Sequence, residues 1–130
     1  GNKRKPRNVI LMISDGMSTA GPTLAELMSP GLRDRGTVMA RMLADPAVER
    51  TLIATESANS WVTDSAAAAT AIGSGHVTNN GSINVMPDTG EPMATMAQHA
   101  HQTGRRIGLV TTDRVSGATP AGFAAVHAER

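Results

Sequence analysis

The chain has 130 residues, a formal net charge of +1 and 40% hydrophobic residues, and it contains no cysteine. That length fits one small domain, the apolar share excludes a disordered tail, and the lack of thiols excludes disulfides and thiolate zinc sites. Any metal must therefore be held by Asp, Glu, His or hydroxyl groups.

Aromatic residues are scarce: Trp61 and Phe123 stand alone and Tyr is absent. The core must rest on Ala, Met, Val, Ile and Leu, and so thin a core implies packing partners outside these 130 residues.

The basic excess lies at the start, in Lys3-Arg4-Lys5-Pro6-Arg7. No aromatic or basic residues interleave elsewhere to continue a groove, so residues 1–7 read as a solvated basic leader and no nucleic-acid partner is expected. Residues 9–13, Val-Ile-Leu-Met-Ile, form a continuous apolar run closed by Ser14-Asp15-Gly16. Such a run reads as a strand buried on both faces, with Asp15 at its carboxyl end. It is far shorter than the ~18 residues of a membrane span, and too short for a signal-peptide core.

Short amphipathic helices are predicted over 22–28 and 38–43, separated by a loop marked by Pro30 and Gly31, and residues 51–55 form a weaker strand candidate. Residues 64–72 are rich in Ala and precede Gly73, which predicts a helix ending at that glycine. Residues 79–90, rich in Asn, Gly, Asp and Pro, read as a surface loop or short hairpin. A helix over 92–103 has Pro near its start and Gly104 past its end. Residues 106–112 repeat the buried-strand pattern, and an Ala-rich helical stretch follows Thr119-Pro120 and runs to Glu129-Arg130. Strands alternating with helices give the expected fold class: α/β, a mostly parallel sheet sandwiched by helices, incomplete in this chain. There are no internal repeats and no evident domain boundary.

Three places could carry chemistry. In open α/β sheets ligands collect beyond the carboxyl ends of strands, where Asp15 could hold a cation, although Asp-Gly is also an ordinary turn. Ser65 falls in the first turn of the Ala-rich helix, where backbone N–H groups and the helix dipole favour a phosphate, although Asp64-Ser65 could equally be a plain cap. Thr119 before Pro120 could simply cap the last helix, and Arg130 could be a solvated charge. The four histidines lack ligand spacing and read as surface or half-buried residues, and the eight methionines read as core filler.

Taken in order, Asn8-Val9-Ile10-Leu11-Met12-Ile13-Ser14-Asp15-Gly16-Met17, then Thr63-Asp64-Ser65-Ala66-Ala67-Ala68-Ala69-Thr70-Ala71, then Val110-Thr111-Thr112 with Ala118-Thr119-Pro120-Ala121, resemble the alkaline phosphatases. The resemblance covers the chain from about Arg7 to Arg130. It implies that residues 1–130 are the N-terminal part of a single catalytic domain, with two zinc ions and one magnesium ion as cofactors. Asp15 matches a ligand shared by a zinc and the magnesium, and Ser65 matches the nucleophile that becomes phosphoserine and contacts a zinc. Asp64 matches the neighbour that orients the phosphate-binding arginine. Thr119 matches a hydroxyl ligand of magnesium, and Arg130, eleven positions on, matches that arginine. Where the family commonly carries Asp or His two residues before the threonine, this chain has Gly117, which bears on the third metal.

The resemblance further implies small phosphate monoesters as substrates and a homodimer working in the periplasm or as a secreted protein. Asp15, Ser65 and Thr119 cannot furnish two zinc sites of about four donors each, so the 130 residues by themselves are expected to be inactive. The alternatives are a related sulfatase, phosphodiesterase or phosphomutase, or a non-catalytic α/β binding module in which Ser65 is only part of a cap.

Overall fold

The computed structural model describes residues 6–28 and 36–128. The chain falls into two units, Gly1–Thr51 and Leu52–Arg130.

The first unit holds α1, Gly21–Met28, and α2, Val38–Ala44, close to the expected spans. Thr37 starts α2: its Oγ1 accepts the Ala40 N–H at 3.1 Å, satisfying one of the donors a helix N-terminus leaves open. The Thr37 N–H in turn donates to Glu26 Oε1 on α1 at 2.8 Å, so one residue both caps the second helix and ties it to the first. Neither helix has a buried residue. Residues 9–13 form no ladder, and Val9 and Met12 are 81% and 89% exposed. A run suited to burial on both faces is thus left in water. Lacking neighbouring strands, it has nothing to bond to along its edges or to pack against its faces.

The second unit contains α3, Ser65–Ser74, α4, Met96–Gln102, and α5, Ala118–Ala124. Alanine propensity and an Asp64 cap explain where α3 starts. Its end differs from expectation: α3 runs through Gly73 and stops at Gly75, whose φ of 76° makes the left-handed cap. Gly73 serves close approach instead. A Cβ there would collide with the Gly122 carbonyl oxygen, and one on Gly122 would lie 2.6 Å from Ala69 Cβ. Small residues on both helices therefore let the α3 and α5 backbones meet.

The segment expected as a surface loop or short hairpin is the centre of this unit. Ser82, Ile83, Asn84 and Val85 are all buried, and Ile83 clusters with Ala66, Ala118 and Ala121. Isolated antiparallel bridges join Ile83 to His127 and Val85 to Pro92. The segment stays inside because most of its polar groups find partners there, Asn84 Oδ1 being buried without one. Asn84 Nδ2 donates to the carbonyls of Gly122 and Ala125 at 2.9 and 2.7 Å, and Thr70 Oγ1 accepts the Asn84 N–H at 3.0 Å. Thr78 Oγ1 donates to the Val85 carbonyl at 2.6 Å. Asn84 is also the one non-glycine residue of positive φ, 51°, among the described residues, a conformation that asparagine tolerates better than most.

Three further boundaries shift. α4 begins at Met96 because Thr95 and Gln98 form a capping box, while Pro92 goes to the bridge with Val85. α5 starts at Ala118 after Gly117, which gives no side-chain cap, so Thr119 lies inside the helix instead of capping it. α5 also ends at Ala124, because its last carbonyls are claimed by Asn84 and by Thr95 Oγ1, which donates to the Phe123 carbonyl at 3.0 Å. Residues 125–128 continue non-helically past the His127 bridge.

Residues 51–55 and 106–112 form no strand; Leu52 is 95% and Val110 101% exposed. Among the described residues, no strand ladder is present and the expected parallel sheet is not formed. No helix among them is long and apolar enough to cross a membrane.

The close helix contact makes a prediction. Gly73→Ala should destabilise the protein by about 1–3 kcal/mol, because the clashing atom is backbone and cannot rotate away. Its denaturation midpoint should fall below that of Ala71→Gly, which only removes a methyl from the same helix.

Candidate active site

Ser65 is the first residue of α3, and its side chain is exposed. Asp64, immediately before it, is held at both carboxylate oxygens. Oδ1 accepts the Ala67 N–H at 2.8 Å and Oδ2 the Gly81 N–H at 2.8 Å. The Asp64 N–H donates to Asn80 Oδ1 at 3.0 Å. Of the open donors at this helix end, those of Asp64 and Ala67 are therefore answered by side chains. The N–H groups of Ser65 and Ala66 are the ones an anion at this terminus would meet.

Thr119 lies in the first turn of α5 and is half-buried. The residues that adjoin the two hydroxyl-bearing positions, Ala66 and Ala118, belong to the same buried cluster. Farther along, Ala69 and Gly73 both meet Gly122. The residues next to Ser65 and Thr119 therefore pack into one buried cluster, together with Ile83 and Ala121.

Asp15 belongs to the first unit, where it is exposed in a turn completed by Gly16 at φ 69°. Arg130 lies outside the described residues. Position 117 is crowded rather than empty: a Cβ there would collide with the Asp113 carboxylate.

As a donor set, Asp15, Ser65 and Thr119 offer hard oxygen atoms, the chemistry that magnesium prefers and zinc accepts. Among the described residues, however, no group of three or more His, Asp or Glu gathers to hold a metal ion. His76, His99, His101 and His127 are all exposed. The oxygen donors fit a share of a metal site in kind, and in number they fall short of a complete one.

Comparison with known proteins decides the family. The sequence model described as "Alkaline phosphatase" matches residues 6–130. This chain belongs to the alkaline phosphatase family. It is 40% identical over 126 residues to streptomycin-6-phosphate phosphatase of Streptomyces griseus, covering 95% of this chain and 27% of that protein. It is 36% identical over 133 residues to alkaline phosphatase of Schizosaccharomyces pombe, covering 100% of this chain and 24% of the relative. The crystal structure of a cold-active alkaline phosphatase from a psychrophilic Shewanella sp. superposes with a TM-score of 0.66 at 27% identity, over 90% of this chain and 29% of that one. The fold is accordingly alkaline-phosphatase-like, and the chain spans about a quarter of the length of these relatives.

Residue patterns alone pointed to Asp64 and Ser65 but passed over Asn80. It stands in Asn79-Asn80-Gly81, a run with the composition of any turn. The signal was present in the abundance of amides around 79–84, which read as solvated.

Removing the Asp64 carboxylate should weaken the start of α3. Asp64→Ala, which leaves the Ala67 and Gly81 N–H groups without this partner, is expected to cost about 1–3 kcal/mol. Asp64→Asn keeps one amide oxygen as an acceptor and should cost less, both being read from equilibrium denaturation.

Proposed function

We propose that this chain carries the nucleophile of a metal-dependent phosphomonoesterase and acts, with the rest of a longer protein, on small phosphate monoesters. The observation that carries this reading is the exposed Ser65 at the N-terminus of α3, held by the capped Asp64, in a chain of the alkaline phosphatase family.

In this reading Ser65 Oγ gives up its proton and forms a bond to phosphorus while the bond from phosphorus to the ester oxygen breaks. The alcohol leaves with a proton. Water then attacks the phosphoserine, the bond between phosphorus and Oγ breaks, inorganic phosphate departs and the hydroxyl is restored. The negative charge of the transferred group is met by the first-turn N–H groups of α3 and by the guanidinium of Arg130, which can grip two phosphoryl oxygens at once. Asp64 has lone pairs beyond the two bonds it makes and can also orient that guanidinium.

Of two zinc ions and one magnesium ion, Asp15 would help hold a zinc and the magnesium, Ser65 a zinc and Thr119 the magnesium, the remaining ligands coming from outside these residues. Bound zinc supplies the Lewis acidity that a serine without a neighbouring base needs at neutral pH. With Gly117 bearing no side chain and Asp113 beside it, the third metal site is where this chain departs from its family. The exposed runs at 9–13, 51–55 and 106–112 are, in this proposal, strands of a mostly parallel sheet completed by further chain, both units being parts of one catalytic domain. The whole protein is proposed to work as a homodimer outside the cytoplasm.

In the full-length protein, Ser65→Ala should reduce hydrolysis of a chromogenic phosphate ester by on the order of 10³-fold or more. It should also abolish the acid-stable phosphate that mass spectrometry finds on residue 65 in the unaltered enzyme. A variant that still turned over at the parental rate would show that another group attacks.

Residues 1–130 alone, supplied with zinc and magnesium, should give no turnover above the rate of their own Ser65→Ala variant. Turnover that this substitution abolished would mean that the short chain assembles a sufficient site unaided.

A further inference from the structure

A nucleophile one residue into a helix is only as well placed as the chain that leads to it. That chain, residues 57–64, is laced to residues 78–81 by hydrogen bonds that converge on Asn80. Its Nδ2 donates to the Val62 carbonyl at 2.8 Å, and its Oδ1 accepts the Asp64 N–H at 3.0 Å. One amide therefore grips the backbone at two points just before Ser65, one with its donor and one with its acceptor.

Asn80 is itself held from behind. Its N–H donates to Asn59 Oδ1 at 2.9 Å, an oxygen that also accepts from the buried Ser57 Oγ at 2.8 Å. The next residue, Gly81, gives its N–H to the Asp64 carboxylate, and the Ala58 N–H donates to the Thr78 carbonyl at 2.8 Å. These bonds span sixteen to twenty-one residues of sequence, so they fix the turn against the body of the unit and not merely against itself. Few side chains can replace Asn80: Asp has no donor for Val62, Ser is too short to span both points, and Gln would push the amide about one bond too far.

We propose that Asn80 is a positioning residue for the nucleophile: it holds Val62 and Asp64 so that Ser65 Oγ faces the phosphorus atom in line. The inference rests on the reading of Ser65 as nucleophile. Asn80 touches no reacting atom and acts through the backbone of Asp64. Its loss should slow attack by Ser65 much more than it weakens phosphate binding, because small errors in the placement of a reacting atom cost rate steeply.

The test uses the full-length metal-loaded protein and its Asn80→Ala, Asn59→Ala and Ser65→Ala variants. The rate of Ser65 phosphorylation in a single turnover, the inhibition constant of inorganic phosphate and the melting temperature are measured for each. Asn80→Ala should lower the phosphorylation rate by ~10–100-fold while the phosphate inhibition constant moves by less than ~3-fold. Asn59→Ala, one bond farther from the serine, should lower the same rate by a smaller factor. It decides the matter if Asn80→Ala does not fold.

A phosphorylation rate within ~2-fold of the parent in the folded variants would overturn the proposal. So would a loss of rate matched by an equal loss of phosphate affinity, which marks general disruption. If Ser65→Ala were itself still phosphorylated or active, the nucleophile assignment would fail first. A silent Ser65→Ala beside unaffected Asn80→Ala and Asn59→Ala would refute the positioning role alone.

Discussion

The contact between α3 and α5 through Ala69, Gly73 and Gly122 is the constraint on which the second unit depends. Two helices can approach this closely only where neither carries a side chain larger than a methyl. The closeness has a direct result: the helices share one buried cluster that includes Ala66 and Ala118, the neighbours of Ser65 and Thr119. Had either glycine been alanine, the helices would have been forced apart and the two hydroxyl-bearing positions with them.

That contact needs a brace, and the segment around Asn84 supplies it. Asn84 and Thr95 take up carbonyls at the end of α5, while Thr70 on α3 receives the Asn84 N–H. The last carbonyls of a helix are open acceptors, and here they are answered by side chains from outside α5. The same hydrogen bonds therefore end α5 and pin it to α3. A similar economy appears at Asp64, whose carboxylate caps α3 and also fastens it to Gly81.

What could be read from residues alone follows the range of the interactions. Helices whose signals are local were legible: Asp64 and the alanines after it start α3 close to where their types suggest, and the amphipathic patterns at 22–28 and 38–43 match α1 and α2. Gly73 misled because a glycine in a helix normally signals an end, and its reason for being there is a partner about fifty residues away. Asn84 misled because polar residues in a Gly/Asn/Pro-rich stretch normally face water, and its burial depends on acceptors brought by Gly122 and Ala125. The runs at 9–13 and 106–112 have strand composition, but a strand is a property of neighbours as well as of sequence, and this chain covers about a quarter of its relatives. In the site, Asp64 and Ser65 stood out as a motif, whereas Asn80 is defined by contacts that no spacing reveals.

Among the described residues, the four largest fully buried side chains are Asn84, Thr70, Thr78 and Thr95, none of them hydrocarbon. Exposure of apolar surface raises the heat capacity on unfolding and exposure of polar surface lowers it, so these four side chains offset part of the increment that the buried Ile83, Val85, Met93 and Phe123 supply. The polar share of the stability curve is correspondingly flatter with temperature than the apolar share, and it resides in the directional bonds that join α5 to Asn84 and Thr95, and Asn84 to Thr70.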